Sequence, residues 1–212
     1  MLLPHRHRAS LLDPLNLNPL PGGIQWDGRL AYLDRDGVLN RGSKEYVNSV
    51  DEVELLPGAP AVVARLRRTG FRVVIVTNQS PVGRGMWGHT RLEEINDRVI
   101  ELMVNESDDA HFDMVLYSPY APSDNAWSRK PNPGMLQVAR QLFDADNKES
   151  ILTEADLIYG LHYSQQDGVP SEASSLMVGD RDADEGAAYN HAVPFHHCDG
   201  NLGIASIEDD LF

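Results

Sequence analysis

The stretch FRVVIVTN, residues 71–78, decides the fold class of this 212-residue chain. Its centre, VVIV, is β-branched and continuously apolar, which is typical of a strand buried on both faces. The segments on either side of it, residues 58–70 and 89–106, have the patterns and terminal signals of helices. A buried strand between two helices predicts an α/β architecture.

The same alternation continues along the chain. Further strands are predicted at residues 29–34, 112–118, 174–180 and 192–198, and further helices at 132–145 and 182–191. Strands that alternate with helices and are almost continuously apolar predict a three-layer Rossmann-like fold, in which helices cover both faces of a central parallel sheet.

Composition shifts divide the chain. Residues 1–28 are rich in Pro, Leu and Asn without a clear period, and are predicted to be an irregular N-terminal extension. Residues 29–212 are predicted to form a single domain. Within it, the polar stretch at about 146–173 is long for a helix-to-strand connection, and we expect a short helix at 154–159 and a flexible loop at 165–170.

Charge and composition narrow the classes of partner. The net charge is −14, so the chain is expected to repel polyanions, and no nucleic-acid partner is expected. No segment is apolar enough to cross a membrane, and the first residues do not resemble a signal peptide. Cys198 is the single cysteine, which excludes an intramolecular disulfide. We therefore expect a cytoplasmic protein, monomeric or weakly dimeric, with no membrane partner.

Polar side chains follow three of the predicted strands. Asp34 and Asp36 follow the first, Thr77 and Asn78 end the second, and Asp180 follows a later one. The carboxyl ends of parallel strands meet at one edge of a sheet, so these groups are expected to converge there. Turn chemistry explains any one of these occurrences, but explains their coincidence less well. Clustered carboxylates require a cation, and a set of oxygen ligands favours Mg²⁺.

Arg129 and Lys130 precede a predicted helix in the stretch SRKPNPG, residues 128–134. Taken alone, such a pair is more typical of an exposed basic surface. Beside a cluster of carboxylates with a bound cation, it favours a site for phosphate. The sequence therefore predicts a magnesium-dependent site for a small phosphorylated metabolite.

Four motifs, in order, resemble those of the haloacid dehalogenase (HAD) superfamily of phosphatases. They are D-x-D-G-x-x-N, V-T-N-Q, R-K-P-x-P-G and G-D-x-x-x-D, and the resemblance covers residues 29–198. The stretches DRDGVLN, YVNSVDEVELLPGA, TNQSPVGRG and RKPNPGM are similar to the D,D-heptose 1,7-bisphosphate phosphatase and histidinol-phosphatase branch. Members of that branch have no large cap domain, which implies a short flap at 41–57 and a substrate-facing loop at 82–87.

The resemblance implies a catalytic pair and a metal. Asp34 would be the nucleophile that forms an aspartyl-phosphate, and Asp36 the general acid and then the general base. Mg²⁺ would be held by Asp34, the main-chain carbonyl of Asp36, and Asp180.

The resemblance also implies residues that bind the phosphate. Thr77 and Lys130 would stabilise the transferred phosphoryl group together with the backbone N–H of Asn78. Arg84 and Arg129 would bind a distal phosphate or sugar hydroxyls. Asp184 would orient Lys130 or a metal-bound water.

One departure from the branch concerns the loop before R-K-P. Relatives hold a zinc ion there through cysteine and histidine, whereas this chain has Ser118, Tyr120, Ala126 and Ser128 at those positions. No zinc is expected, and Tyr120, Trp127 and the prolines are expected to hold the loop. Because that loop contacts substrate in relatives, the departure leaves the substrate open.

The sequence thus supports one leading function and three alternatives. The leading function is hydrolysis of a sugar phosphate such as heptose 1,7-bisphosphate. The alternatives are a histidinol-phosphate phosphatase, a polynucleotide 3′-phosphatase and a non-catalytic phosphosugar-binding protein. The acidic chain disfavours the polynucleotide substrate, and the retained nucleophile at Asp34 disfavours the non-catalytic protein.

Overall fold

A six-stranded sheet in the order β1-β4-β3-β2-β5-β6 forms the centre of the computed structural model, which describes residues 1–160, 163–166 and 168–212. The strands are β1 (His5–Arg6), β2 (Leu30–Leu33), β3 (Arg72–Asn78), β4 (Met114–Ser118), β5 (Leu176–Gly179) and β6 (Phe195–His197). All neighbouring pairs are parallel except β1, which runs antiparallel to β4. The predicted α/β fold with a mostly parallel sheet is confirmed.

Helices cover both faces of this sheet. They are α1 (Ala59–Arg68), α2 (Ser80–Gly83), α3 (His89–Glu106), α4 (Gly134–Asn147), α5 (Asp182–His191) and α6 (Glu208–Leu211). Leu30 and Tyr32 of β2 are buried in the apolar core that also contains residues of α4 and α5. Ala31 and Leu33 are buried in the core on the opposite face, which contains residues of α1 and α3. Because successive side chains of a strand point to opposite faces, an apolar strand supplies both cores.

The connection between β2 and α1 lies over the carboxyl edge of the sheet. Its regular structure is one 3₁₀ turn, Val50–Glu52, and the backbone of residue 41 bonds that of residue 54 (Arg41 N to Glu54 O, 2.8 Å). The connection is therefore a short flap and not a separate cap domain.

The N-terminal segment contributes to the sheet. Within residues 1–28 there are two regular elements, the strand β1 and a 3₁₀ turn at Pro21–Gly23. His5 pairs with Tyr117 and Arg6 with Leu116 of β4. This segment therefore covers one edge of the sheet.

The helix expected at 154–159 is wrong. The carboxylate of Asp156 instead accepts hydrogen bonds from the backbone N–H and hydroxyl of Thr153, at 2.8 and 2.7 Å. The side chain of Gln141 bonds both backbone groups of Ile158. The Gln141 side chain thus occupies the N–H of Ile158, which a helix would instead pair with the carbonyl of residue 154. The loop expected at 165–170 lies partly outside the described residues, because residue 167 is not described.

A buried ionic network fixes the end of this polar stretch to the sheet. The carboxylate of Glu172 accepts hydrogen bonds from the hydroxyl of Tyr32 and the guanidinium of Arg140, both at 2.7 Å. Nε2 of His191 lies 3.1 Å from the same carboxylate.

No helix among the described residues is long and apolar enough to span a membrane.

Candidate active site

The side chains predicted to converge do so at the carboxyl edge of the sheet. Asp34 directly follows β2, and its N–H continues the pairing with β5 by bonding the carbonyl of Val178 at 3.0 Å. Thr77 and Asn78 end β3, and Asp180 directly follows β5. The parallel register of β2 with both neighbours brings these ends together.

Lys130 joins the ends of β2 and β3 to the start of helix α5. Its ammonium lies 2.8 Å from Oδ1 of Asp34 and 2.6 Å from Oδ1 of Asp184, and it donates to the carbonyl of Val76 at 2.7 Å. Burial alone would lower the pKa of Lys130, but the two carboxylates outweigh burial and raise this pKa. The ammonium thus lies among three acceptor oxygens, two of which belong to carboxylates.

Asp34 lies in an environment that disfavours extra negative charge. Burial raises the pKa of its carboxyl to about 6 against the opposing charge of Lys130, with Asp184 adding to the rise. Burial, followed by the charge of Asp34, also raises the pKa of Asp180. A bound cation would relieve both effects.

The carboxylates can hold a metal ion. One oxygen each from Asp34, Asp180 and Asp184 lies within 4.8 Å of the others, and Oδ1 of Asp180 is buried with no hydrogen-bond partner among the described residues. Asp184 already bonds Lys130 and the backbone N–H of Arg181. Asp34 and Asp180 therefore fit Mg²⁺ best, because this ion prefers oxygen ligands and keeps positions open for water or phosphate.

Two glycines make room for the carboxylate of Asp180. A Cβ at Gly37 would lie 2.4 Å from Oδ2 of Asp180, and one at Gly200 would lie 2.7 Å from the same atom. Gly37 also has a φ of +88°, a conformation that glycine adopts at little cost. The glycine of D-x-D-G thus serves both the turn and the placement of Asp180.

The Asp36 carboxylate is held by three donors. It accepts hydrogen bonds from the Arg35 guanidinium at 2.9 Å, from Asn40 at 2.9 Å and from Gln79 at 3.0 Å. Burial alone would raise the pKa of Asp36, but the Arg35 charge and these hydrogen bonds hold it below its usual value. In this arrangement Asp36 is ionised, as a general base requires.

Sequence reasoning assigned no role to the residues that hold Asp36. Gln79 Nε2 also donates to the hydroxyl of Thr77 at 2.9 Å, and Nη1 of Arg35 donates to Asn96 at 2.8 Å. Asn40 and Gln79 are the last residues of the motifs D-x-D-G-x-x-N and V-T-N-Q. Their place in these motifs was the sequence signal that could have identified them as site residues. Asn96 lies in α3 and belongs to none of the quoted motifs.

Asn78 connects β3 to the loop that carries Lys130. Its side-chain amide donates to the carbonyl of Lys130 at 2.9 Å and accepts from the N–H of Lys130 at 3.1 Å. The side chain of Asn78 therefore positions the lysine backbone, while its backbone N–H was the group expected to bind phosphate.

The two arginines predicted to bind substrate lie beside this centre. Arg129 is half-buried and donates to the carbonyl of Tyr120 at 2.9 Å, while Arg84 is exposed after α2. Burial, followed by the charge of Arg84, lowers the pKa of Arg129, so the two cations are close enough to repel. A cavity of about 490 Å³ opens at the carboxylates, lined by residues that include Asp36, Tyr46, Asn78, Asp180 and Arg181.

The loop predicted to lack zinc is held by other contacts. The hydroxyls of Ser118 and Ser128 lie 3.5 Å apart, and Ala126 is buried. The indole N–H of Trp127 donates to Gln137 of α4 at 3.1 Å. Three of the four positions at which this chain differs from the zinc-binding pattern, Ser118, Ala126 and Ser128, thus lie in the protein interior.

Comparisons with known proteins relate the chain to a group of phosphatases. Residues 29–199 match the family described as polynucleotide kinase 3 phosphatase. A D-glycero-beta-D-manno-heptose-1,7-bisphosphate 7-phosphatase of Pseudomonas aeruginosa is 35% identical over 117 residues, 55% of this chain and 65% of that protein. A D-glycero-alpha-D-manno-heptose-1,7-bisphosphate 7-phosphatase of Burkholderia mallei is 30% identical over 175 residues, 78% of this chain and 87% of that protein.

A solved structure has a similar fold. The D,D-heptose 1,7-bisphosphate phosphatase of B. bronchiseptica, complexed with magnesium and phosphate, matches with a TM-score of 0.63 and 24% identity, over 86% of this chain and 97% of that one. The chain spans less than two thirds of the length of several curated relatives, 65% for the Pseudomonas aeruginosa protein.

Proposed function

The chain belongs to the polynucleotide kinase 3 phosphatase family of HAD-type phosphatases, and from that premise we propose that it removes a phosphate from a small phosphorylated sugar. The observation that carries the proposal is the buried contact of Asp34 with Lys130, 2.8 Å, beside an oxygen of Asp180 that has no hydrogen-bond partner in the part of the chain that the structure describes. A solvated turn has no need of a buried lysine. A nucleophile that must approach a phosphate dianion does.

In the proposed reaction Asp34 acts first. A carboxylate oxygen of Asp34 forms a bond to phosphorus as the bond from phosphorus to the sugar oxygen breaks. Asp36, which takes up a proton from solvent as the substrate binds, gives this proton to the departing oxygen. A water molecule then attacks phosphorus and passes a proton to Asp36, which releases phosphate and restores the Asp34 carboxylate.

Asp36 must change its contacts to do this. It is held ionised by Arg35, Asn40 and Gln79, so it can accept a proton from water as it stands. To donate a proton it has to exchange at least one of these contacts for the substrate oxygen. We infer that substrate binding moves Asp36 from the first arrangement to the second.

Asp34 and Asp180 would hold the Mg²⁺ with the main-chain carbonyl of Asp36. When bound, the ion supplies positive charge between the attacking carboxylate and the phosphate, which would otherwise repel each other. Lys130 supplies a second positive charge, and the hydroxyl of Thr77 a neutral donor, for the phosphoryl oxygens.

We propose heptose 1,7-bisphosphate as the substrate, because relatives of that activity match this chain. One phosphate would bind beside Asp34. The second would bind Arg84 and Arg129, whose proximity is unfavourable until an anion lies between them. A bisphosphate therefore fits the charge distribution better than a monophosphate.

A second candidate is a polynucleotide 3′-phosphate, which the description of the matching family favours. The net charge of −14 opposes it, because a long polyanion would be repelled.

Phosphate release in Mg²⁺ tests these proposals. The panel contains both anomers of heptose 1,7-bisphosphate, histidinol phosphate, a heptose monophosphate and an oligonucleotide with a 3′-phosphate. We expect the highest kcat/KM for a heptose bisphosphate, and no turnover by the matched variant Asp34→Asn. Preference for the oligonucleotide would replace the substrate, and turnover by Asp34→Asn would contradict the mechanism. Thermal unfolding with and without Mg²⁺ checks that the variant is folded.

A further inference from the structure

The N-terminal strand β1 lies outside the matched family region, residues 29–199, and begins near the candidate active site. His5 pairs with Tyr117, which is the residue before the last one in β4. The N–H of His7 extends this pairing by bonding the carbonyl of Val115 at 3.0 Å. The strand therefore places His5 close to the carboxyl edge of the sheet, where the site lies.

The ring of His5 lies among three other rings. Its centroid is 4.7 Å from that of His89, 5.5 Å from that of Tyr117 and 6.3 Å from that of Tyr120. Nδ1 of His89 lies 2.9 Å from the hydroxyl of Tyr117, which fixes two of these rings to each other. His5 thus contacts the start of α3, the end of β4 and the loop after β4.

That loop supports both arginines of the site. The carbonyl of Tyr120 accepts a hydrogen bond from Nη1 of Arg129 at 2.9 Å. The preceding carbonyl, of Pro119, accepts from the N–H of Gly83 at 2.9 Å, and Gly83 directly precedes Arg84. A Cβ at Gly83 would lie 2.4 Å from the Pro119 oxygen, so the two segments are in close contact.

Polar side chains directly after β1 fix this segment to α3 as well. Nε2 of His7 lies 2.9 Å from Oδ1 of Asp97, and the guanidinium of Arg8 lies 2.6 Å from Oδ2 of Asp97 and 3.2 Å from Glu93. Helix α3 begins at His89, at the end of the short connection that follows α2 and contains Arg84. The N-terminal segment is therefore attached both to β4, which precedes the Pro119–Tyr120 peptide, and to α3, which follows the connection that contains Arg84.

We propose that His5 is a positioning residue for Arg84 and Arg129, and that β1 thereby sets the affinity of the site for the distal anionic group of its substrate. The inference depends on the proposed function only for the identity of this distal group. The ring acts through the contact with Tyr120, so an aromatic ring of similar size should replace it, whereas a methyl group should not.

The test compares three variants of the full chain. His5→Ala removes the ring and His5→Phe keeps one. Arg6→Ala is the matched control, because Arg6 is the neighbouring residue of β1 and its side chain bonds the carbonyls of Asp13 and Pro14 instead. Thermal unfolding of each variant shows whether it is folded.

Hydrogen–deuterium exchange of the backbone at 118–129 is the first measurement. We expect exchange roughly tenfold faster in His5→Ala than in the unmodified protein, and unchanged exchange in His5→Phe and Arg6→Ala. Unchanged exchange in His5→Ala, or a failure of His5→Phe to restore it, would overturn the proposal. This measurement needs no substrate, so it decides the positioning role even if the protein hydrolyses none of the phosphate esters.

Steady-state kinetics is the second measurement. For heptose 1,7-bisphosphate we expect the KM of His5→Ala to rise about fivefold while kcat stays within about twofold. For p-nitrophenyl phosphate, which has no distal phosphate, KM should not change. An equal rise for both esters would overturn the proposal, and so would a further rise when His5→Ala is added to the Arg84→Ala, Arg129→Ala double variant.

Discussion

Lys130 and Asp34 form a buried ion pair, with 2.8 Å between Nζ and Oδ1 and with side chains that are 2% and 9% exposed. The same ammonium lies 2.6 Å from Asp184. Removal of the lysine would therefore leave two buried carboxylates facing each other. The residue that is expected to stabilise the transferred phosphate is also the one that stabilises the ionised nucleophile.

Lys130→Met tests this double role. We expect kcat to fall at least about a hundredfold, and the free energy of unfolding at pH 7 to fall by about 3 kcal/mol, the typical cost of removing one partner of a buried ion pair. Phosphate release and urea unfolding measure the two effects. Lys148→Met is the matched control, because Lys148 is exposed at the end of α4. Equal stability of the two variants would contradict the prediction.

Gln79 is expected to support catalysis without contacting the phosphate. Its amide joins the carboxylate of Asp36 at 3.0 Å to the hydroxyl of Thr77 at 2.9 Å. Gln79→Leu frees both groups to rotate, so kcat should fall roughly tenfold with KM nearly unchanged. The control Gln166→Leu alters an exposed residue. A loss confined to KM would show that Gln79 acts in binding instead.

Gly37→Ala should weaken the response to magnesium. The added Cβ would lie 2.4 Å from Oδ2 of Asp180, so the carboxylate has to move from its position beside Asp34. We expect the Mg²⁺ concentration for half-maximal activity to rise about tenfold or more.

The variant Gly28→Ala separates the effect of backbone strain from the effect of the clash with Asp180. Gly28 has a φ of +98°, similar to the +88° of Gly37, and a Cβ there meets no atom within 4 Å. Both variants should lose about 1 kcal/mol of unfolding free energy from the positive φ. An equal change in the magnesium response of both would exclude crowding of Asp180 as the cause.

Sequence patterns predicted the structural features that depend on the composition of a short segment of the chain. Strand β3 was predictable because burial on both faces requires apolar residues throughout. The convergence of Asp34 and Asp180 followed from the rule that parallel strands end at one edge. These features follow from the order of apolar and polar residues along the chain.

Features that depend on distant pairs were not predictable in this way. Strand β1 has two residues, too few for any alternation of apolar and polar positions. Asn96 bonds Arg35 across 61 positions of the chain, and on α3 it resembles any polar residue of an amphipathic helix. The helix expected at 154–159 does not form, and the N–H of Ile158 that it would have used bonds the side chain of the distant Gln141 instead.

Glu172 is expected to make the stability of the fold depend on pH. Burial alone would raise the pKa of its carboxyl, but hydrogen bonds from His191 and Arg140 outweigh burial and hold that pKa well below its usual range. A carboxyl with a depressed pKa stabilises the folded state above its unfolded pKa, about 4.3 for glutamate. This stabilisation is lost as the pH falls from there toward the folded-state pKa.

Comparison of the unmodified protein with Glu172→Gln isolates this effect from that of other carboxyls. At pH 7 the variant should be less stable by about 3 kcal/mol, because it leaves the buried guanidinium of Arg140 without its carboxylate. The difference should shrink as the pH falls from about 4.3 toward 3. Urea unfolding across this range measures it, with Glu185→Gln on the exposed face of α5 as the control. A difference that stays constant from pH 7 to 3 would show that the charge of Glu172 does not stabilise the fold.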